Sequence, residues 1–556
     1  MFKKNPVDKQ INITDPYHNF PKYIRDMLHN SWAEYFFYNI FSKINEECFS
    51  VLFSDKYSRP NTPVNVIVGL LILKEMNQWT DEDLLGAFYF DYRVRYALGI
   101  TDFEKERLCI NTVSNFRCRL YEYAEKHGRD LLGEEVDNLT KELIEVSGMD
   151  TSFGRQDSFL ISANCKKMGR LELIYTVNLN MVKVLSEEDA SLIPESCSHY
   201  LDSEDKTAQI YKIKKEEVEE KTKQLLNESF DLYAAGPHSL RETQAFENLA
   251  RLLEEQTEDS GDGPAPKDSK EISPSSLQNP SEPDATYRKK GTQQSTGYVM
   301  NTVEARDEEK KMSMIVHHDL QQNIVSDVEL GSNALDSDLK GVETMVSDGA
   351  YYSPETARKA EEKDIELSFS ALSGRTPPEN KMGADQFTVD PETKKINQCP
   401  GGYEPFMAEY NEENQQYTAR FYKEDCMSCG FADSCIFKEQ KGFNVVRFTE
   451  NKLITDYYRS FMGTERHQKL GDFRAGTEGV PSVLRRSYGI DELPVRGLIR
   501  ARIWDHCKVM AYNFSSFFRY FKGLGTARTN MLSLLFRYIT SNLVKIGTVR
   551  TKLCYG

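Results

Sequence analysis

Through the first 145 residues the apolar positions recur three and four apart, the spacing of amphipathic helices. Thr62 can cap a helix with Pro63 in its first position, after which Val64, Ile67, Val68 and Leu71 keep one face apolar. Thr80 with Asp83 marks a second start leading into Leu84, Leu85 and Phe88. A third begins near Thr112 and carries Val113, Phe116 and Leu120, with Arg117 and Arg119 beside them. Three short helices with arginines on the last fit a helix-turn-helix DNA-binding unit, and equally a bundle whose arginines are solvated. From residue 297 the period shortens to two. GYVMNTVEA (297–305), MSMIVHH (312–318) and NIVSDVEL (323–330) predict an antiparallel meander. A helix around Leu335–Lys340, a strand ending in MVSD (345–348), a helix opened by Ser353-Pro354 and the strand IELSFSAL (365–372) complete a mixed α/β pattern. Asp348 then falls at the carboxyl end of a strand, where α/β sheets favour active sites. Near the C-terminus, VMAYNFSSFFRYFKGLG (509–525) has helical apolar spacing and predicts a core helix rather than a base-stacking surface.

Charge changes this picture regionally. The 556 residues carry a net charge of −16, which taken whole argues against a polybasic nucleic-acid coat. Residues 201–283 hold 19 acidic and 10 basic residues, a net of −9, whereas residues 441–556 hold 20 basic and 8 acidic, a net of +12. The text at 257–284 is rich in Ser, Pro, Gly and acid and reads as a disordered linker, preceded by helical charge patterning at 214–236. No run approaches ~20 apolar residues, and MFKKNPVDKQINITDP lacks the apolar block of a signal peptide, so no membrane association and a cytoplasmic location are expected. Eleven cysteines are too sparse for a disulfide scaffold.

Three acids stand out by context: Asp157 in GRQDSFLISAN, Asp348 in MVSDGAYYSPE and Glu478 in FRAGTEGVPSVLRR. Carboxylates brought together repel one another, and hard divalent cations relieve that repulsion through oxygen ligands. Two Mg²⁺ ions so held would activate a water or 3′-hydroxyl against a phosphodiester. Cys399, Cys426, Cys429 and Cys435 cluster in a Cys-x2-Cys-x5-Cys pattern after an isolated Cys-Pro-Gly-Gly. They can furnish a closed tetrahedral Zn²⁺ site stabilising a small insert, or remain redox-active or buried thiols. Of His317 and His318, strand alternation lets only one face a given site, and a surface or core role is expected for both.

The runs SRPNTPVNVIVGLLILKEMNQWTDEDLLGAFYFDYRVRYALGI, RQDSFLISANCKKMGRLELIYT, DATYRKKGTQQSTGYVMNTVE, SDGAYYS, the cysteine cluster and RAGTEGVPSVLRRSYGI occur in one order across residues 60–515. With them the chain resembles the DDE transposases of bacterial insertion sequences, specifically the insertion sequence 1182 family. The resemblance implies an RNase H-like mixed sheet whose Asp157, Asp348 and Glu478 bind Mg²⁺ or Mn²⁺, with Asp150 as the alternative first acid. It also implies binding to double-stranded DNA, at the terminal inverted repeats and the target, by a homodimer that associates with the nucleoid. Related enzymes show Tyr-x2-Arg-x3-Glu-x6-Lys around the third acid. Arg474, Glu478 and Arg485 keep the last three spacings, and on one continuous helix they would lie within about 40° of arc, aiming both arginines at DNA phosphates. Gly471 replaces the tyrosine, and Pro481 predicts a kink or a helix start just after Glu478. The expected organisation is an all-α N-terminal DNA-binding domain with Arg117 and Arg119 (1–145), a catalytic core in three parts (146–186, 286–398, 441–515), an acidic helical and partly disordered insertion (187–285), a Cys-rich insertion (399–440) and a C-terminal helical segment (516–556). A degenerate copy that binds DNA and represses without cutting is the alternative function.

Overall fold

Residues 2–5, 16–54, 56, 61–101, 107–259, 264–372, 378, 380–476 and 479–523 are described by the computed structural model. Seven helices come first: α1 (Lys22–His29), α2 (Trp32–Asn39), α3 (Val64–Asn77), α4 (Asp81–Phe90), α5 (Tyr92–Ala97), α6 (Ile110–His127) and α7 (Leu131–Ser147). Thr80 caps α4 as its sequence promises. Its hydroxyl accepts the Asp83 N–H at 3.1 Å, and the Asp83 carboxylate accepts the Thr80 N–H at 3.1 Å. Thr62 does not cap α3. Pro63 takes that position, and the buried Glu46 carboxylate supplies the acceptor, 2.9 Å from the Val64 N–H. Because α3 is enclosed on all sides, its apolar residues run round the whole helix instead of forming a stripe.

The central sheet is mixed. Strand β1 (Phe153–Ser162) is followed by α8 (Arg170–Asp189), α9 (Val218–Ala235), α10 (Gln244–Gln256) and a small hairpin, β2 (Thr257–Asp259) and β3 (Pro264–Pro266). The sheet resumes with β4 (Thr286–Lys290), β5 (Gln293–Asp307) and β6 (Met312–Gln322), then α11 (Asp327–Asp336), β7 (Thr344–Ser347), α12 (Pro354–Glu361) and β8 (Glu366–Phe369). The β5 strand runs antiparallel to β1, β6 and β4, whereas β7 runs parallel to both β1 and β8, giving the order β6-β5-β1-β7-β8 with β4 beside the start of β5. The expected third meander strand at 323–330 is not formed. Ser326 instead accepts the N–H of Glu329 at 3.2 Å and starts α11.

The acidic insertion shares a second core with α8, which falls mostly within the expected first part of the catalytic core: Tyr175 and Val182 pack with Leu225, Leu249 and Leu277. Leu277 lies within the stretch that reads as a disordered linker, so that expectation fails for the described residues 264–284. Arg251 donates to the carbonyls of Ser275 at 2.7 Å and Pro283 at 2.8 Å, and Asn248 donates to Pro280 at 3.0 Å. Few apolar side chains suffice where the helices satisfy the backbone of the loop.

A third core joins Phe387, Ile396, Tyr417, Phe421 and Phe448 with the cysteines. It is built on β9 (Thr388–Asp390), β10 (Lys395–Gln398), β11 (Met407–Asn411), β12 (Gln416–Phe421), the short α13 (Lys423–Ser428), β13 (Lys438–Glu439) and β14 (Asn444–Thr449), so this unit exceeds the expected 399–440 on both sides. Helices α14 (Glu450–Met462), α15 (Glu465–Arg474), α16 (Gly479–Tyr488) and α17 (Leu498–Gly523) return the chain to the central sheet. The last runs unbroken through the expected boundary at 515–516 and packs on β6, α7 and α3, as its apolar spacing predicts. It also closes the sheet edge. Asn513, fully buried, accepts the Ile315 N–H at 2.7 Å and donates to the Ile315 carbonyl at 2.9 Å, replacing a neighbouring strand.

Candidate active site

Parallel pairing of β1 with β7 sets Phe153 opposite Thr344 and Arg155 opposite Val346. Asp157 and Asp348 each follow two residues after that last pair, Asp348 just past the last residue of β7. Asp348 turns the chain. Its Oδ1 accepts the Gly349 N–H at 2.6 Å and the Ser370 hydroxyl at 2.9 Å. Position 349 has to be glycine, because a Cβ there would lie 2.2 Å from the Ala371 carbonyl oxygen. Asp157 Oδ1 accepts the Ser158 N–H at 2.9 Å, and the Ser158 hydroxyl reaches Asp327 at 2.9 Å. Burial raises the pKa of Tyr351, and the negative fields of Asp327, Asp157 and Asp348 push the same way, so three carboxylates surround one phenol. Asp150, by contrast, precedes the amino end of β1 and accepts the Ser152 N–H at 2.9 Å.

The chain leading toward Glu478 is anchored on the same strand. Arg155, two residues before Asp157, is 4% exposed and paired with Glu304 of β5, 3% exposed, at 2.5 Å. Its Nη1 donates to the Phe473 carbonyl at 3.1 Å, and its guanidinium lies 5.2 Å from the Phe473 ring centre. Gly476 rests against it, since a Cβ there would fall 2.1 Å from Nη1. Glu478 itself lies outside the described residues. Arg474 Nη2 stands 3.8 Å from Asp348 Oδ2. Arg485 donates to the Leu160 carbonyl at 3.2 Å, pairs with Asp491 at 2.9 Å and covers the Phe159 ring. The two arginines do not share one helix as the spacing argument assumed. α15 ends at Arg474 and α16 begins at Gly479, the helix start expected near Pro481. Between β5, β6 and α17 opens a cleft of about 720 Å³ lined by Arg155, Arg306, Lys310, Lys311 and Arg519 together with Glu304 and Glu309, among others.

Residues 398–546 match the family model for a transposase DDE domain. The match supports a DDE transposase, an enzyme of DNA cleavage and transfer. It spans the cysteines, Arg474, Glu478 and Arg485, and leaves Asp157 and Asp348 to the geometry above. No curated protein and no solved structure matches the chain. Among the described residues no helix is long and apolar enough to cross a membrane.

The remaining expected site residues fall elsewhere. In α6, Arg117 pairs with Asp81 of α4 at 2.5 Å, an acid that also holds Lys74 at 2.8 Å, and Arg119 covers the Phe53 ring at 5.1 Å. Cys399, Cys426, Cys429 and Cys435 line one small apolar pocket, with Gly401 pressed so close that a Cβ would lie 2.5 Å from Cys429 Sγ. Burial raises the Cys426 thiol, and the neighbouring Cys399 and Cys429 raise it further. The four cysteines do not form a group of sulfurs all within 4.8 Å of one another. Among the described residues the group that meets that limit is His318, Asp505 and His506. Sequence reasoning missed Arg155, Glu304 and Asp327. The signal for Asp327 was present in Ser326-x2-Glu329, a helix-capping pattern inside a run that reads as strand.

Proposed function

We propose that this chain is the DNA transposase of an insertion sequence, of the insertion sequence 1182 type, with an RNase H-like core in which Asp157, Asp348 and Glu478 hold Mg²⁺ or Mn²⁺. The observation that supports the reading most is the parallel pairing of β1 with β7, in which Arg155 stands opposite Val346 and Asp157 and Asp348 each follow two residues later. Carboxylate oxygens are the donors hard cations accept, and Asp157 and Asp348 would supply them, each carboxylate oriented by a backbone N–H of the next residue. Divalent ions bound there would neutralise a phosphodiester and lower the pKa of an attacking water or 3′-hydroxyl. The protein's own part is positional. Arg155 fixes the end of α15 against β1, Arg474 sits beside Asp348 to meet a phosphate, and Arg485 holds the last turn of α16 to the other end of β1. The basic cleft with Arg306, Lys310, Lys311 and Arg519 offers the backbone of double-stranded DNA a path toward the acids. Arg117 and Arg119 in the N-terminal helical layer contribute to binding the element's inverted repeats, two copies acting together on paired ends at the nucleoid. A structural Zn²⁺ in the cysteine unit would draw Cys399, Cys426, Cys429 and Cys435 closer together, and four soft donors would then leave no open position for chemistry.

The test is Mg²⁺-dependent nicking of DNA carrying the element's ends. Asp348→Asn is expected to abolish nicking while DNA binding persists, and wild-type nicking by that variant would sink the assignment. End binding without nicking by the unaltered chain would select the repressor reading.

A further inference from the structure

Away from the acids, three side chains converge between β6 and α17. His318 Nε2 lies 2.6 Å from His506 Nδ1, and Asp505 Oδ1 lies 3.6 Å from the first and 3.5 Å from the second. Their side chains are 6%, 1% and 11% exposed for His318, Asp505 and His506. Neither oxygen of the Asp505 carboxylate accepts a hydrogen bond. A carboxylate stripped of water and given no donor is costly to keep, by several kcal/mol as a rough scale for an uncompensated buried charge. The two imidazole nitrogens meet lone pair to lone pair unless a proton or a cation lies between them. The far nitrogen of His506 is already committed: its Nε2 is 2.7 Å from Asp130 Oδ2, and Asp130 also accepts the Gly133 N–H at 2.9 Å at the start of α7. That bond keeps a proton on Nε2, so that a metal entering the site displaces only the Nδ1 proton and takes Nδ1 as its ligand.

We propose that His318, Asp505 and His506 form a second metal site, for a divalent transition ion of the Zn²⁺ class, that fastens the C-terminal helix to the edge of the central sheet. Two nitrogens and one carboxylate oxygen are a donor set Zn²⁺ accepts, and a carboxylate behind one imidazole is the usual outer support of such a site. Tetrahedral ligands at ~2.0–2.1 Å stand ~3.3 Å apart. Two of the three separations here are within a few tenths of that, and the third requires the imidazoles to part by about 0.7 Å. One ion would balance Asp505 directly and Asp130 through His506. The site is independent of the cysteines and of the proposed catalytic acids, and its role is structural, because it joins β6, α17 and, through Asp130, α7.

The experiment uses the full chain bearing Cys426→Ser and Cys429→Ser, loaded with Zn²⁺ or Co²⁺ and freed of weakly bound ion by gel filtration. One retained equivalent is expected, with cobalt bands in the visible and no sulfur-to-cobalt charge transfer. His318→Gln should remove that equivalent, and Asp130→Asn should weaken it roughly 10–100-fold in competition with a chelator. Should the cysteine variant fail to fold, the otherwise unaltered chain and its His318→Gln form are compared instead, and a difference of one Zn²⁺ supports the site. Equal metal content with and without His318, or a cobalt spectrum unmoved by both substitutions, overturns it.

Discussion

Replacing Arg155 separates its structural role from its positional one. Arg155→Met removes the partner of a buried carboxylate: Glu304 is 3% exposed and takes both Nε at 3.1 Å and Nη2 at 2.5 Å from that arginine. Breaking a buried pair from one side costs roughly 3–5 kcal/mol, whereas exchanging both members for apolar groups is near neutral. Through the amides of β1 and β5 this reads as hydrogen exchange faster by about 10²–10³-fold at tenfold per 1.4 kcal/mol. The double variant Arg155→Met/Glu304→Leu should recover most of that protection. Nicking should not recover with it, because the Phe473 carbonyl has lost its donor and the connection from α15 to α16 its anchor. Equal exchange rates in single and double variants would refute the buried-charge argument. Full nicking by the double variant would refute the positioning role.

Gly476→Ala places a methyl 2.1 Å from the Arg155 guanidinium and is expected to lower nicking at least tenfold with β1 protection nearly intact, measured on the same two assays. Burial lifts the Glu135 carboxyl from its ordinary 4.5 to about 7, although the Asn45 N–H donates to it at 2.7 Å. The folded state therefore binds more protons than the unfolded one between those values, so stability is full below about pH 4.5 and falls as pH rises to about 7, by up to about 3 kcal/mol. Glu135→Gln should flatten that fall in urea titrations at pH 5 and pH 8, and an unchanged slope would contradict the burial effect. Arg119→Ala should reduce the salt dependence of end binding by about one counterion in log–log slope, measured by fluorescence anisotropy.

Local chemistry was the legible part of this fold. Thr80 with Asp83 and Ser353-Pro354 mark real helix starts, and the alternation through 297–318 marks real strands, because capping and pleat act over a few residues. Asp348 at a strand end was legible for the same reason. The strand reading of 323–330 failed where a short apolar run suited both periods and the cap at Ser326 decided. Composition misjudged residues 264–284, since it counts apolar side chains and not the carbonyls that Arg251 and Asn248 satisfy. The helical wheel joining Arg474 to Arg485 failed at the break between α15 and α16. No local pattern could reveal Arg155 with Glu304 or His318 with His506, whose partners lie 149 and 188 residues away.

Asn513 has a counterpart across the sheet. On the outer strand β8, His467 of α15 lies 2.8 Å from the Phe369 carbonyl, and Arg466 pairs with Glu366. At Ile315 on β6 and Phe369 on β8 the margin of the central sheet is therefore occupied by a side chain from a helix that follows it in the chain. Strand-to-strand annealing between two copies has no free margin to start from at these positions, so protomers that meet on DNA would join through helical faces or the cysteine unit. The same arrangement makes folding order matter: until α15 and α17 have been synthesised, the sheet is left with open margins that other chains could extend.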